Sequence, residues 1–191
     1  MSWIALLPLL AAPQDTGEQY YRFPKDTTWK FEGKAKGEKA TAVIRVLRHD
    51  KDRVHVEIAE NRESWKAPKI NEFVWYVEKG ILRMDRVKAA KVEPFHALYM
   101  IGSKRGDTWA GPGMDDGNMD GAHLGLEAID VPAGRFTDAA HIRMLHRPKK
   151  GSESVVCDFH LVPEVGIVRM EADRGGGDHE VFELKEFKKG G

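Results

Sequence analysis

The chain is poor in the features that most readily announce a function. It has a single cysteine, Cys157, so an intrachain disulfide and a multi-thiolate zinc site are both excluded. It has no excess charge. Thirty Lys and Arg balance thirty Asp and Glu, which leaves no electrostatic footprint for a nucleic acid or an anionic membrane surface. It lacks a long apolar run. The longest, Trp3 to Ala12, has ten residues, whereas a bilayer span needs about 20, so no stable membrane span is expected. There is no G-x-S-x-G elbow, and Ser64, Ser103, Ser152 and Ser154 fall in loop-like stretches with no histidine nearby in sequence. "RGGGD" (174–178) lies between strand-like runs and opens no helix, so it is no phosphate cradle.

What is present is alternation. The runs 40–49, 53–60, 73–80, 81–88, 123–131, 138–147, 153–162, 166–173 and 179–187 place apolar residues at every second position. In "RVHVEIAE" (53–60), Val54, Val56 and Ile58 share one face and His55 and Glu57 the other. Such alternation marks antiparallel strands with one wet side. "GKAKGEK", "RHDKDR" and "RPKKGS" between the runs are hairpin connections. The expected fold is all-β: an antiparallel up-and-down barrel or half-barrel of about nine to eleven strands. A short helix fits "SWKAPKINEF" or "VEPFHALYMI" by length, but neither carries a helical stripe. Two echoes raise a duplication of two meanders. "KDTTWKFEG" resembles "RGDTWAG", and "YVEKGILRMD" resembles "VPEVGIVRME", with Trp29 matched to Trp109 and Gly80 to Gly166.

The apolar run 3–12 followed by Gln14 and Asp15 reads as a signal peptide over residues 1–12, ahead of one β domain over 13–191. The expected location is therefore exported, periplasmic or extracellular. Cys157, alternating with Val155, Phe159 and Leu161, reads as a small core residue.

Four stretches taken together resemble a family of uncharacterised exported bacterial β-rich proteins with GxxW, VPAGxF and PxVGxV motifs. They are "PKDTTWKF", "SKRGDTWAG", "DVPAGRFTDAAHIRM" and "FHLVPEVGIVRME". The first has Asp26 where the family has glycine, and the last lacks an aromatic before its proline. The resemblance implies a β-rich envelope or secreted protein and carries no activity. Read mechanically, "DVPAGRF" and "VPEVGIV" are two tight turns, with proline ending strand pairing and glycine supplying a positive φ.

The most specific chemical signal is Asp116, Asn118, Asp120, Gly121 and Glu127, which fits D-x-[DN]-x-[DN]-G-x5-E. An EF-hand needs flanking helices. Here "GDTWAGPGM" precedes the pattern, a strand-like run follows, and His123 takes the eighth position. The expectation is an exposed loop in which Asp116, Asn118 and Asp120 are a weak calcium candidate, with Glu127 on the next strand. No other cofactor is indicated. His55, His141, His146 and His160 fall on strands, mostly on the wet face. Without a His-x-His or His-x3-His spacing, nothing local assembles them into a metal site. Trp29, Trp65, Trp75, Trp109, Tyr76 and Phe95 suit either a core or a concave apolar surface. The reading is thus a non-catalytic binding or structural module whose partner is an apolar small molecule or an envelope protein. The alternatives are a hydrolase using the wet-face histidines and a calcium-stabilised secreted module.

Overall fold

A computed structural model of the chain describes residues 17–89, 91–113, 117–149 and 153–191. The signal segment read over residues 1–12, and Asp116, lie outside the described residues. Twelve antiparallel strands form one sheet. They are β1 Thr28–Ala35, β2 Glu38–Asp50, β3 Arg53–Arg62, β4 Lys69–Glu78, β5 Ile81–Lys88, β6 Lys91–Met100, β7 Thr108–Pro112, β8 Asn118–Val131, β9 Gly134–Arg147, β10 Val155–Val162, β11 Gly166–Asp173 and β12 His179–Lys188. Among the described residues the helical part is one 3₁₀ turn, Glu18–Tyr20. "VEPFHALYMI" is strand β6, and Ser64–Pro68 is a turn that feeds β4, so neither is helical.

The strand order is β6-β5-β4-β3-β2-β1-β12-β11-β10-β9-β8-β7. Two six-stranded meanders therefore meet where β1 pairs with β12, while β6 and β7 are the two ends of a nearly closed barrel. At that seam the strands share no ladder. Side chains bridge it instead: Trp109 Nε1 donates to the Ala97 carbonyl at 2.8 Å, and Arg83 reaches the Pro112 carbonyl at 3.5 Å. Trp29 and Trp109 are each second in the first strand of a meander. Gly80 and Gly166, at φ 76° and 82°, lead into β5 and β11.

Local sequence explains the strands. In β2, Ala40, Ala42, Ile44 and Val46 are buried while Lys39, Thr41, Val43 and Arg45 between them are exposed. Lys36 and Gly37, both at positive φ, make the two-residue turn between β1 and β2, whose twist matches the strands it joins. Apolar side chains fill the barrel, and the outer face of β1 and β12 carries pairs such as Lys30–Glu186 and Lys185–Glu32. Among the described residues no helix is long and apolar enough to cross a membrane.

The two ends of the barrel differ. At one end, residues 17–27 lie across the opening. Phe23 packs edge-on against Trp29 at 4.9 Å, Tyr20 against Tyr99 at 5.1 Å, and the Gln19 carbonyl accepts from the Glu164 N–H. Trp29 Nε1 donates to the Val165 carbonyl at 2.5 Å, tying the first strand to the β10–β11 turn. Among the described residues the other end has no such covering.

Candidate functional site

The uncovered end is a cavity of about 400 Å³ inside the barrel. Its wall alternates out of both meanders: Ala42 from β2, Ile58 from β3, Phe73 from β4, Met84 from β5, Phe95 and His96 from β6, Cys157 and Phe159 from β10, Met170 and Ala172 from β11, Phe182 from β12. The same period-two faces that build the core supply the lining. At Ala42 and Ala172 the side chains are too small to fill the barrel's width. Charged groups also line it: Glu60, Arg86, Glu171, Arg174 and Glu180. Arg62 bridges Glu60 and Glu180, whereas Arg86 donates to Asn71 at 2.5 Å and lies over the Phe73 ring.

Two further titratable groups, His96 and Cys157, lie among the apolar residues of the wall. His96 is buried, and its desolvation pushes its pKa down to about 3, aided by His146 and Arg174, so the ring is neutral. Its Nδ1 meets no hydrogen-bond partner among the described residues. Cys157 is buried as its alternation implied, and burial pushes its thiol up to about 11, which makes it unreactive.

A second cluster lies on the outer face. Asp158 and His160 alternate with the inward Cys157, Phe159 and Leu161. The β8–β9 hairpin, fourteen residues in each strand, bends through register shifts at His123/Gly125 and Glu127/Ile129. Its tip reaches β12, where the Ala133 N–H donates to the Leu184 carbonyl. Beneath it is a polar depression lined by Glu127, His141, Asp158, His160 and Arg169, among others. Glu127 Oε1 is 2.6 Å from His160 Nε2 and 3.3 Å from His141 Nδ1. His141 Nε2 is 3.0 Å from Asp158 Oδ1, and the two imidazoles stack with centroids 4.5 Å apart. The His160 hydrogen bond holds the Glu127 carboxyl below its usual range. Burial holds His160 below its ordinary value and outweighs the attraction of Glu127. Burial alone would raise Asp158, but hydrogen bonds from Arg143 and His141 bring it below the usual range.

The residues singled out in the sequence are dispersed. Asn118 and Asp120 belong to strand β8, opposite Pro112 and Ala110 of β7, and not to a loop. Asp120 is ion-paired with Arg147. Glu127 is on β8 as expected, with its carboxylate turned to the histidines. Of the four strand histidines, His55 sits apart on β3, bonded to Glu72. His146 is buried with the inward residues of β9, contrary to a wet-face placement. Only His141 and His160 come together. Ser103 has a histidine neighbour after all: its Oγ is 3.1 Å from His123 Nδ1. That nitrogen also lies 2.9 Å from the Ser103 carbonyl, an acceptor that claims its proton. It is then no base for the hydroxyl, and the pair is structural. Sequence reasoning missed the inward role of His96 and the Glu127–His141–His160 grouping. The only local signal was their placement on strands.

No protein-family model and no curated protein sequence matches the chain. Two solved structures share the fold. One is a Bacteroides fragilis protein assigned as exported, with a YmcC-like fold: TM-score 0.55, 14% identity, 87% of this chain and 97% of that one covered. The other is a Parabacteroides distasonis protein assigned as a lipoprotein: TM-score 0.53, 17% identity, 86% of this chain and 96% of that one. At these identities the likeness establishes the barrel architecture alone.

Proposed function

We propose that this chain is an exported, non-catalytic binding module that holds an apolar or amphipathic small molecule inside its barrel. The observation that carries the reading is the end-open cavity of about 400 Å³, whose wall is mostly apolar and whose opposite end is stopped by residues 17–27. Its volume lies within the ordinary range for small-ligand pockets, and of its charged residues Glu60, Glu171, Arg174 and Glu180 are already engaged in ion pairs. Arg86 makes no ion pair among the described residues and is placed to meet an anionic head group, while His96 Nδ1 offers one buried hydrogen-bonding point. Export is supported by the apolar run 3–12 and by the assignments of the two structural neighbours as exported protein and lipoprotein.

The test is titration of the purified protein with a naphthylamine dye whose fluorescence rises in apolar surroundings, followed by competition with a long-chain fatty acid. Saturable one-to-one binding is expected, displaced by the fatty acid and lost in Ala172→Phe, a variant that fills the cavity while keeping its melting temperature within a few degrees. Equal dye binding in the filled variant would overturn the reading. Export is checked by the intact mass of the protein from its native cell: residues 1–12 are expected to be absent, and a retained Met1 overturns that part.

A further inference from the structure

The outer-face cluster points to a second site of different chemistry. We propose that Glu127, His141 and His160 bind a divalent transition-metal cation, zinc above all, beneath the β8–β9 hairpin.

The donor set is two imidazoles and one carboxylate, and one ligand atom from each lies within 4.8 Å of the other two. Around a tetrahedral zinc with bonds of about 2.0–2.2 Å, donor atoms stand roughly 3.3–3.5 Å apart. His141 Nδ1 and Glu127 Oε1, at 3.3 Å, already hold that spacing. His160 Nε2 meets the same carboxylate at 2.6 Å, and a cation entering among the three donors parts that pair. Two imidazoles with one carboxylate suit zinc and its neighbours in the first transition row, and disfavour calcium and magnesium, which prefer all-oxygen shells.

Three further features fit a cation. First, His141 is oriented from behind. Its Nε2 faces Asp158 Oδ1 at 3.0 Å, and Asp158 is clamped by Arg143 through two bonds of 2.9 and 3.0 Å. A carboxylate behind an imidazole is what fixes the ring and raises its basicity in metal sites. Second, with the Nε2 proton given to Asp158, His141 Nδ1 presents a lone pair to the Glu127 carboxylate. Two acceptors then face each other, and a proton or a metal cation must lie between them. Third, the surroundings are acidic on balance. Glu127, Asp130, Asp158 and Glu171 of the depression outnumber its Arg143 and Arg169, and both guanidinium groups are already engaged with carboxylates. His160 is buried and its Nδ1 has no partner among the described residues, so a shift of the ring breaks no bond on that side. The three ligands come from β8, β9 and β10, so the ion pins the long hairpin to the barrel wall. It also leaves a coordination position open to the depression that Arg169 borders.

The experiment uses the full-length protein freed of metal with EDTA. Zinc is titrated calorimetrically, and cobalt(II) by visible absorption. One equivalent is expected to bind with micromolar or tighter affinity, and cobalt should give the intense ligand-field bands of a four- or five-coordinate site. Glu127→Gln and His160→Gln should each weaken binding at least tenfold. Asp158→Asn, which acts through His141, should weaken it about tenfold while leaving the cobalt band pattern in place. A variant that misfolds is bypassed by a measurement on the wild type: zinc should shift the ring nitrogen resonances of His141 and His160, and leave those of His55 and His179 unmoved. Absence of binding, unchanged affinity in both glutamine variants, or shifts confined to other histidines overturns the proposal. Dye binding in the barrel is unaffected by EDTA if both sites exist, so failure of one reading is separable from failure of the other.

Discussion

His160 on β10 lies directly opposite His141 on β9, and the two rings stack 4.5 Å apart. Nineteen positions separate them in the chain. Their contact is a consequence of register: the β9–β10 connection sets which residue of one strand faces which residue of the other, and a slip of one position would send one ring to the opposite face. The same logic brings in Glu127, whose strand is offset by the register shifts of β8.

Acid should unfold the protein earlier than its carboxylates alone require. His96 is held neutral in the folded state, with its pKa at about 3, while the unfolded chain takes the proton near 6.5. Between those values the unfolded state binds more protons. The contribution is therefore complete above about pH 6.5 and is lost as pH falls toward 3, at up to about 1.4 kcal/mol per pH unit. His160, also lowered by burial, adds to the slope. Urea unfolding at pH 7.5 and 5.0 should show His96→Leu with a smaller pH dependence than the wild type in this window. An unchanged slope counts against a neutral buried His96.

Asp85→Ala should be among the most damaging single changes. Arg83 and Asp85 are both buried, bonded at 3.0 Å, and Asp85 also accepts from Tyr76 Oη at 2.7 Å and the Phe95 N–H at 3.1 Å. Without the carboxylate a guanidinium is left buried and unpaired, a loss of about 3–5 kcal/mol. Tyr76, pushed up to about 12 by burial and by Asp85, should titrate lower in the variant. Denaturant unfolding and ultraviolet titration check the two effects separately.

Gly33→Ala should loosen the joint between the meanders. A Cβ there would overlap the Val181 carbonyl oxygen of β12, a backbone atom that cannot turn aside. The expected cost is about 1–3 kcal/mol, as for other overpacked sites. A melting temperature equal to the wild type would show that the joint yields.

Calcium binding at Asp116, Asn118 and Asp120 is expected to be weak, in the millimolar range at best. Asp120 already has Arg147 as a counter-charge, and Glu127, the twelfth position of the pattern, is turned to His141 and His160. Calorimetric titration of the wild type and of Asp116→Ala with Asp120→Ala decides it: tight binding abolished by the pair would reverse this expectation.

Alternation determined the all-β antiparallel fold, the inward faces of most strands and the burial of Cys157, because a strand's period of two is a local property of the chain, while proline and glycine marked the turns at Gly134 and Gly166. Strand β6 was harder to see. Its N-terminal half is exposed and contains Pro94, so the run shows little alternation and declares itself only through pairing with β5. The tertiary structure decided the rest. Which end of the barrel is stopped depends on where residues 17–27 fold back. Which histidines meet depends on register between strands, and register is shifted by irregularities at Glu127/Ile129 and His160/Leu161 that no local pattern announces. Asp116 to Asp120 reads as a loop because short acids, amides and glycines suit turns and calcium alike. Asn118 and Asp120 became strand residues because β7 was there to pair with them.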